Sequence, residues 1–281
     1  MKEFFKELLK PVIFVLKIVI FLITIVILGA LFSNDEKEAN LVRLNLTGVI
    51  LDDAKMLEKI YEIRDNDDIK GVLLYIDSPG GAVAPSFEIS GAIKSLSEKK
   101  PLIAYAGGVM ASGSYLSGVW ANKIYANKGA TIGSIGVIMD GLNLGELTDK
   151  IGIKPQVVKA GKFKEAGTFM REWSEEERES LQRLVDENYA LFTNEVAVAR
   201  KLDLRDVDAW ANARVFTAQG AQKLHLIDDV TTYETAMKKV EELSGVSDPI
   251  WEKPNKYDEF IDEISSKTAN MIFSFLQTKL R

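Results

Sequence analysis

This chain of 281 residues contains no cysteine. That single absence excludes disulfides, cysteine nucleophiles and thiolate metal sites together. It is also compatible with an oxidising compartment. Histidine occurs once, as His225. A Ser-His-Asp triad would have to use that residue, and a zinc site would have at most one imidazole. Positive charge is outnumbered, with 35 Lys and Arg against 41 Asp and Glu, and no basic stripe crosses the body. A nucleic-acid partner is therefore not expected. No repeat or low-complexity stretch is present either. Apolar residues make up 47% of the chain, enough for one large core or two small ones.

The longest apolar run is Val12 to Phe32, broken only by Lys17 and Thr24. As a helix, its length is roughly 31 Å, which matches the hydrocarbon core of a bilayer. Lys17 stands near the start, where its stem can snorkel toward the headgroups. Lys2, Lys6 and Lys10 precede the run, and Asp35, Glu36 and Glu38 follow it. Positive-inside logic predicts a single-pass helix with a cytoplasmic N-terminus and the remainder outside. A cleaved signal peptide is the competing reading. Against it, the run exceeds a usual h-region, and Phe32 spoils the small-residue site at Ala30-Leu31-Phe32-Ser33.

After a polar stretch at 33–40, strand-like runs recur at Leu41–Ile50, Gly71–Asp77, Leu102–Ala106, Lys123–Ala126 and Pro155–Lys159. Helical segments between them, Ala54–Arg64 and Ser86–Ser97, predict an α/β fold with crossover connections. Ser174 and Glu177 form a capping-box pattern, with Leu181, Leu184, Val185, Leu191 and Phe192 predicted on one face of the helix that follows. The tail from Tyr257 has apolar residues at helical spacing and reads as a docked helix. A membrane-surface or active-site role for it is the sharper alternative.

Three segments could carry chemistry. Asp77-Ser78-Pro79-Gly80-Gly81 follows an apolar strand, and its glycines let backbone N–H groups face outward, as an oxyanion hole requires. An ordinary tight turn would look the same. Gly107 to Tyr115 places Ser112 among small residues at a possible helix start, near free N–H groups. By itself a serine there is more often an N-cap, and Ser114 is a rival nucleophile. Ala160-Gly161-Lys162-Phe163-Lys164-Glu165-Ala166 is not a phosphate loop, because Phe163 stands where Ser or Thr is needed. Gly129 to Gly136 likewise lacks the dinucleotide fingerprint.

In order, DSPGG, ASGSY, GSIGV, GKFKEA and ARVFTAQGA resemble the motifs of the signal peptide peptidase A family over about Leu41 to Val230. The resemblance implies a Clp protease/crotonase-like α/β domain behind an N-terminal transmembrane helix. It also implies a membrane-anchored Ser-Lys endopeptidase that degrades remnant signal peptides. Ser112 falls at the family's nucleophile and Lys164 at its general base. Gly81 and Gly113 fall at the oxyanion hole, and Ser134 at the serine that orients the lysine. Ser114 replaces the family's usual second glycine. An unperturbed lysine is neutral in about one molecule in 2,500 at pH 7, so such a base needs burial to lower its pKa.

The implied organisation is a cytoplasmic N-terminus (1–11), an anchor (12–32), a linker (33–40), a protease domain (41–240) and a C-terminal extension (241–281). The protease domain is expected in the periplasm, on the outer side of the inner membrane. No cofactor or metal is implied. The expected partners are the membrane, hydrophobic peptides such as cleaved signal peptides, and further copies of the chain in a ring or dome. Such an assembly lets serine and lysine come from different subunits. Two other readings remain: a crotonase-like acyl-CoA enzyme and a non-catalytic membrane scaffold.

Overall fold

The computed structural model describes residues 38–253, together with Lys17 and residues 19–24. The chain divides into two compact units, Met1–Glu38 and Ala39–Arg281. In the first, Lys17 and residues 19–24 are helical, with Val19 to Ile23 exposed. Among the described residues no helix is long and apolar enough to cross a membrane. Apart from those seven positions, the expected anchor at 12–32 lies outside the described residues, as does the tail from Tyr257.

The second unit is built on a seven-stranded mixed sheet. Its strands are β1 (Leu41–Ile50), β2 (Gly71–Gly81), β3 (Leu102–Ala111), β4 (Lys123–Ala126), β5 (Thr131–Gly133), β6 (Val215–Thr217) and β7 (Asp229–Val230). The described helices of this unit are α1 (Ala54–Asp65), α2 (Val83–Lys99), α3 (Gly113–Gly118), α4 (Gly145–Lys150), α5 (Glu175–Arg200), α6 (Val207–Trp210), α7 (Ala218–Lys223) and α8 (Tyr233–Ser244). Strands β1, β2, β3, β4 and β7 run parallel in that order. Parallel strands are covered on both faces, so their sequences are apolar on both. Val72, Leu74 and Ile76 enter the larger core with Ile60 of α1 and Ile93 of α2. Leu73, Ile103 and Tyr105 pack with Ala236 and Val240 of α8 in the smaller one.

The feature that creates the site is a change of partner along β3. Its first half, Ile103–Ala106, pairs with β4, and its second half, Val109–Ala111, pairs with β5. On the other side, Ile76 pairs with Ala106 but Ser78 with Met110, so extra β3 residues bulge outward. Gly107 and Gly108 make the bulge possible. A Cβ on Gly107 would lie 2.2 Å from the Tyr75 hydroxyl, and one on Gly108 would lie 2.5 Å from Asp77 Oδ1. The Asp77 carboxylate then accepts from the Val109 N–H at 2.9 Å. In this way β3 delivers residue 112 beside β5 and not beside β4.

β1 and β4 have the expected ends, whereas β2 and β3 run on by four and five residues into the glycine segments. Two expectations need correction. Pro155–Lys159 is not a strand, and Val157 and Val158 are exposed there, because no neighbouring strand offers a ladder to a β-prone sequence. On α5 the buried stripe is Phe192, Thr193, Val196 and Ala197, while Leu184 and Leu191 face outward. The expected capping box is present: the Glu177 N–H donates to Ser174 Oγ and the Ser174 N–H to Glu177 Oε2. Helix α8 runs through the expected boundary at 240/241, and Trp251 bridges to Leu41 of β1.

Candidate active site

Two glycine turns meet at the C-terminal ends of β2 and β3. Gly80 has φ +92°, and a Cβ there would stand 2.5 Å from the Gly113 nitrogen and 2.9 Å from Ser112 Cβ. Only glycine permits both the conformation and the approach. Gly81 lies against β1, where a Cβ would meet the Ile50 carbonyl oxygen at 2.0 Å. A Cβ on Gly113 would be 3.3 Å from the Gly81 nitrogen, so these two backbone N–H groups are close neighbours. Gly113 opens α3, and first-turn N–H groups have no partner inside a helix.

Ser112 stands between β3 and α3 with φ 53° and ψ −127°. This is neither helical nor the extended conformation of an ordinary N-cap, and its side chain makes no capping hydrogen bond. Such backbone states cost about 1–3 kcal/mol and persist only where the surroundings enforce them. Here the Ser112 N–H donates to the Gly133 carbonyl at 2.8 Å, and the Ser112 carbonyl accepts from Leu116 at 3.1 Å. Ser112 is half-buried, its hydroxyl caps nothing, and its Cβ lies against the glycine turn at Gly80. Ser114, the chemical rival, is fully buried, and its hydroxyl is bonded to Ala111 and Ser78. It cannot be approached by a substrate.

Ser134 follows Gly133 directly and also has positive φ, 49°. A strap from the ARVFTAQGA motif holds it. The Ser134 N–H donates to the Arg214 carbonyl at 2.7 Å, and the Ala213 N–H to the Ile135 carbonyl at 2.8 Å. Asn212 and Ala213 are both left-handed, and the Tyr189 hydroxyl of α5 accepts from the Asn212 N–H at 3.2 Å. No local pattern marks this motif as a clamp on Ser134. Its one readable signal is Thr217 as the N-cap of α7, accepting from the Gly220 N–H.

Lys164 lies in a turn within 162–167 and its side chain is exposed. No hydrogen bond or ion pair joins its ammonium to Ser112 or Ser134. Its neighbours are fixed to the start of α5 instead. Arg171 donates to both oxygens of Glu177 at 2.8 Å, Glu165 pairs with Lys159, and the Trp173 indole donates to the Thr168 carbonyl. The Arg171 guanidinium holds the buried Glu177 carboxyl down at about 2, aided by the Ser174 N–H. Lys162 pairs with Glu176. The His225 imidazole is exposed and has no bond to Ser112. Among the described residues, no group of acidic and histidine side chains could hold a metal ion.

Comparison with known proteins bears on the family of the chain and on its fold. The model of peptidase family S49 matches residues 94–247, more than half of the chain, and that of Clp protease matches residues 47–126. A candidate protease of Methanocaldococcus jannaschii is 38% identical over 188 residues, 67% of this chain and 60% of that relative. A candidate protease of Synechocystis sp. is 38% identical over 207 residues, 73% of this chain and 75% of that relative. A candidate signal peptide peptidase SppA of Enterococcus faecium is 30% identical, covering 74% of this chain and 64% of that relative. Of the first and third relatives this chain therefore matches less than two thirds of the length. The fold is the Clp-protease-like α/β type, with a mixed sheet.

Proposed function

Because this chain belongs to peptidase family S49, we propose that it is a membrane-anchored serine endopeptidase with Ser112 as nucleophile and Lys164 as general base. One observation carries the reading: a strained serine whose hydroxyl caps nothing stands where β3 meets α3, against the glycine turn at Gly80. Neutral Lys164 takes the proton as Ser112 Oγ attacks the scissile carbonyl carbon. The carbonyl oxygen becomes an oxyanion, held by the Gly81 and Gly113 N–H groups. As the C–N bond breaks, Lys164 returns that proton to the leaving amine, and the acyl group remains on Ser112. Water, deprotonated by Lys164, then attacks the acyl carbon. The bond from that carbon to Ser112 Oγ breaks, Ser112 Oγ takes the proton back from Lys164, and the acyl product leaves as a carboxylic acid. Ser134 orients the amine.

A lysine base must be desolvated to lose its proton, yet Lys164 is exposed in a single chain. The stretch of chain from 138 to 169 that contains it also carries uncovered apolar side chains: Ile138, Leu142, Ile151, Val158 and Phe169. In our reading a second copy of the chain, within a ring or dome, covers this segment and brings Lys164 to its own Ser112. The substrates are hydrophobic peptides such as released signal peptides. Residues 12–32 hold the catalytic unit at the outer face of the inner membrane, next to that substrate.

The test uses the full chain in detergent with a fluorogenic hydrophobic peptide and a serine-reactive phosphonate probe. Wild type should cleave the peptide and carry the probe on Ser112, while Ser112→Ala and Lys164→Ala should each lose at least about 10³-fold in kcat. Unchanged cleavage by Ser112→Ala would falsify the mechanism. Co-refolding the two inactive variants should restore part of the activity when the dyad is shared between copies. No recovery, with subunit exchange demonstrated, would place the dyad in one chain.

A further inference from the structure

We infer that Ser114 is a positioning residue that locks the oxyanion turn to the nucleophile turn. The inference rests on the Ser112 mechanism proposed above. Ser114 is fully buried. Its Oγ accepts from the Ala111 N–H at 2.9 Å and donates to the Ser78 carbonyl at 2.6 Å. The Ala111 carbonyl, also at 2.9 Å, is a second acceptor for the same single proton, and the shorter bond to Ser78 is the stronger one.

The position of these two partners gives the hydroxyl its role. Ala111 immediately precedes strained Ser112, so the accepted bond fixes the backbone on the entry side of the strain. Ser78 lies two residues before Gly80 and three before Gly81, so the donated bond fixes the opposite turn. A second bond braces that turn from within, from the Gly80 N–H to Ser78 Oγ at 3.1 Å. The other buried hydroxyls of the region do not link these two turns. Ser86 donates to the Ala82 carbonyl just before α2, and Ser117 to the Gly113 carbonyl within α3 and, at 3.4 Å, to the Ser86 carbonyl of α2. Among these serines, Ser114 is the one whose hydroxyl bonds from one turn to the other. The Ser86 side chain supports Gly113 by contact, since a Cβ there would stand 2.2 Å from Ser86 Oγ.

The two N–H groups that face the oxyanion belong to these two turns, one to each. Their separation is therefore set by whatever joins the turns, and the relevant tolerance is a fraction of an ångström. Glycine at 114 could not supply the link.

The test compares wild type with Ser114→Gly and Ser114→Ala, measuring kcat and KM separately together with affinity for a peptide aldehyde that forms a tetrahedral adduct. The expected result is kcat lower by about tenfold or more, because misplaced donors weaken only the transition state. KM should stay within about twofold, and aldehyde affinity should fall in parallel with kcat. The pH profile should not move, since no titrating group is touched. Melting curves establish that each variant is folded at the assay temperature, and probe labelling of Ser112 shows that the nucleophile is present. If one variant does not fold, the other carries the comparison. Wild-type kcat and aldehyde affinity in a folded variant overturn the inference. So does a drop in melting temperature with unchanged kcat, which marks a structural role only. Loss of activity in wild type itself, or its retention in Ser112→Ala, overturns the underlying mechanism and is read separately.

Discussion

At the scale of single residues, the site depends on atoms that are missing. Gly80 combines φ +92° with contacts that leave no room for a Cβ between Ser112 and Gly113. Gly80→Ala should therefore separate the two turns. We expect kcat to fall about 100-fold or more, as misplacement on the ångström scale does, and stability to fall by more than about 1 kcal/mol. Peptide cleavage and thermal melts measure the two effects. Gly48 has φ +72° but open space around it, so Gly48→Ala should cost stability only. A similar loss of kcat in both variants would show that backbone strain, not closeness to Ser112, sets the effect.

At the scale of elements, α5 anchors two separate segments that the proposed mechanism uses. Its N-terminus holds the Lys164 segment through Arg171 and Glu177, and its middle holds the Ser134 strap through Tyr189. The Glu177 carboxyl lies near 2 when folded against 4.5 as an ordinary glutamate. A depressed folded value means that its contribution to stability is complete above about 4.5 and is lost as pH falls toward 2. Melting temperatures of wild type and Glu177→Gln should therefore differ at pH 7 and draw together as pH falls through about 2. A constant gap across that range would show that the ion pair is not the source of the difference.

The β-prone run Pro155–Lys159 belongs to the same scale. Its sequence reads as a strand, yet strand formation needs a neighbour to receive its hydrogen bonds, and none is within reach. The short strands β5, β6 and β7 show the converse. With two or three residues each they carry almost no pattern, and pairing partners alone define them.

At the scale of the whole molecule, the proposed assembly makes exposure of Ile138, Leu142 and Val158 a property of the isolated chain only. Ile138 is 82% exposed and Leu142 74%. Ile138→Asp or Val158→Asp should leave the monomer folded, because neither side chain is buried in it. Each should weaken self-association in sedimentation velocity and lower cleavage in proportion. Full activity in a variant that sediments as a monomer would remove the shared-site reading. Deleting residues 1–37 should move the chain from the detergent fraction to the soluble one, with its peptidase activity retained.

Composition and motif order by themselves determined the class of chemistry. Without cysteine and with one histidine, few nucleophile and base pairs remain, and the motif order resembles a family in which Ser112 falls at the nucleophile and Lys164 at the base. Continuous apolar runs and 3.6-residue patterns placed the main strands and helices, because such patterning is a local property. Two matters waited for the tertiary structure: why the Ser112 side chain does not cap α3, and why the Ser114 hydroxyl is buried and bonded. Each depends on contacts between segments distant in sequence, such as Gly80 against Gly113 and Ser78 against Ser114. No local pattern encodes such contacts, and the change of partner along β3 is what creates them.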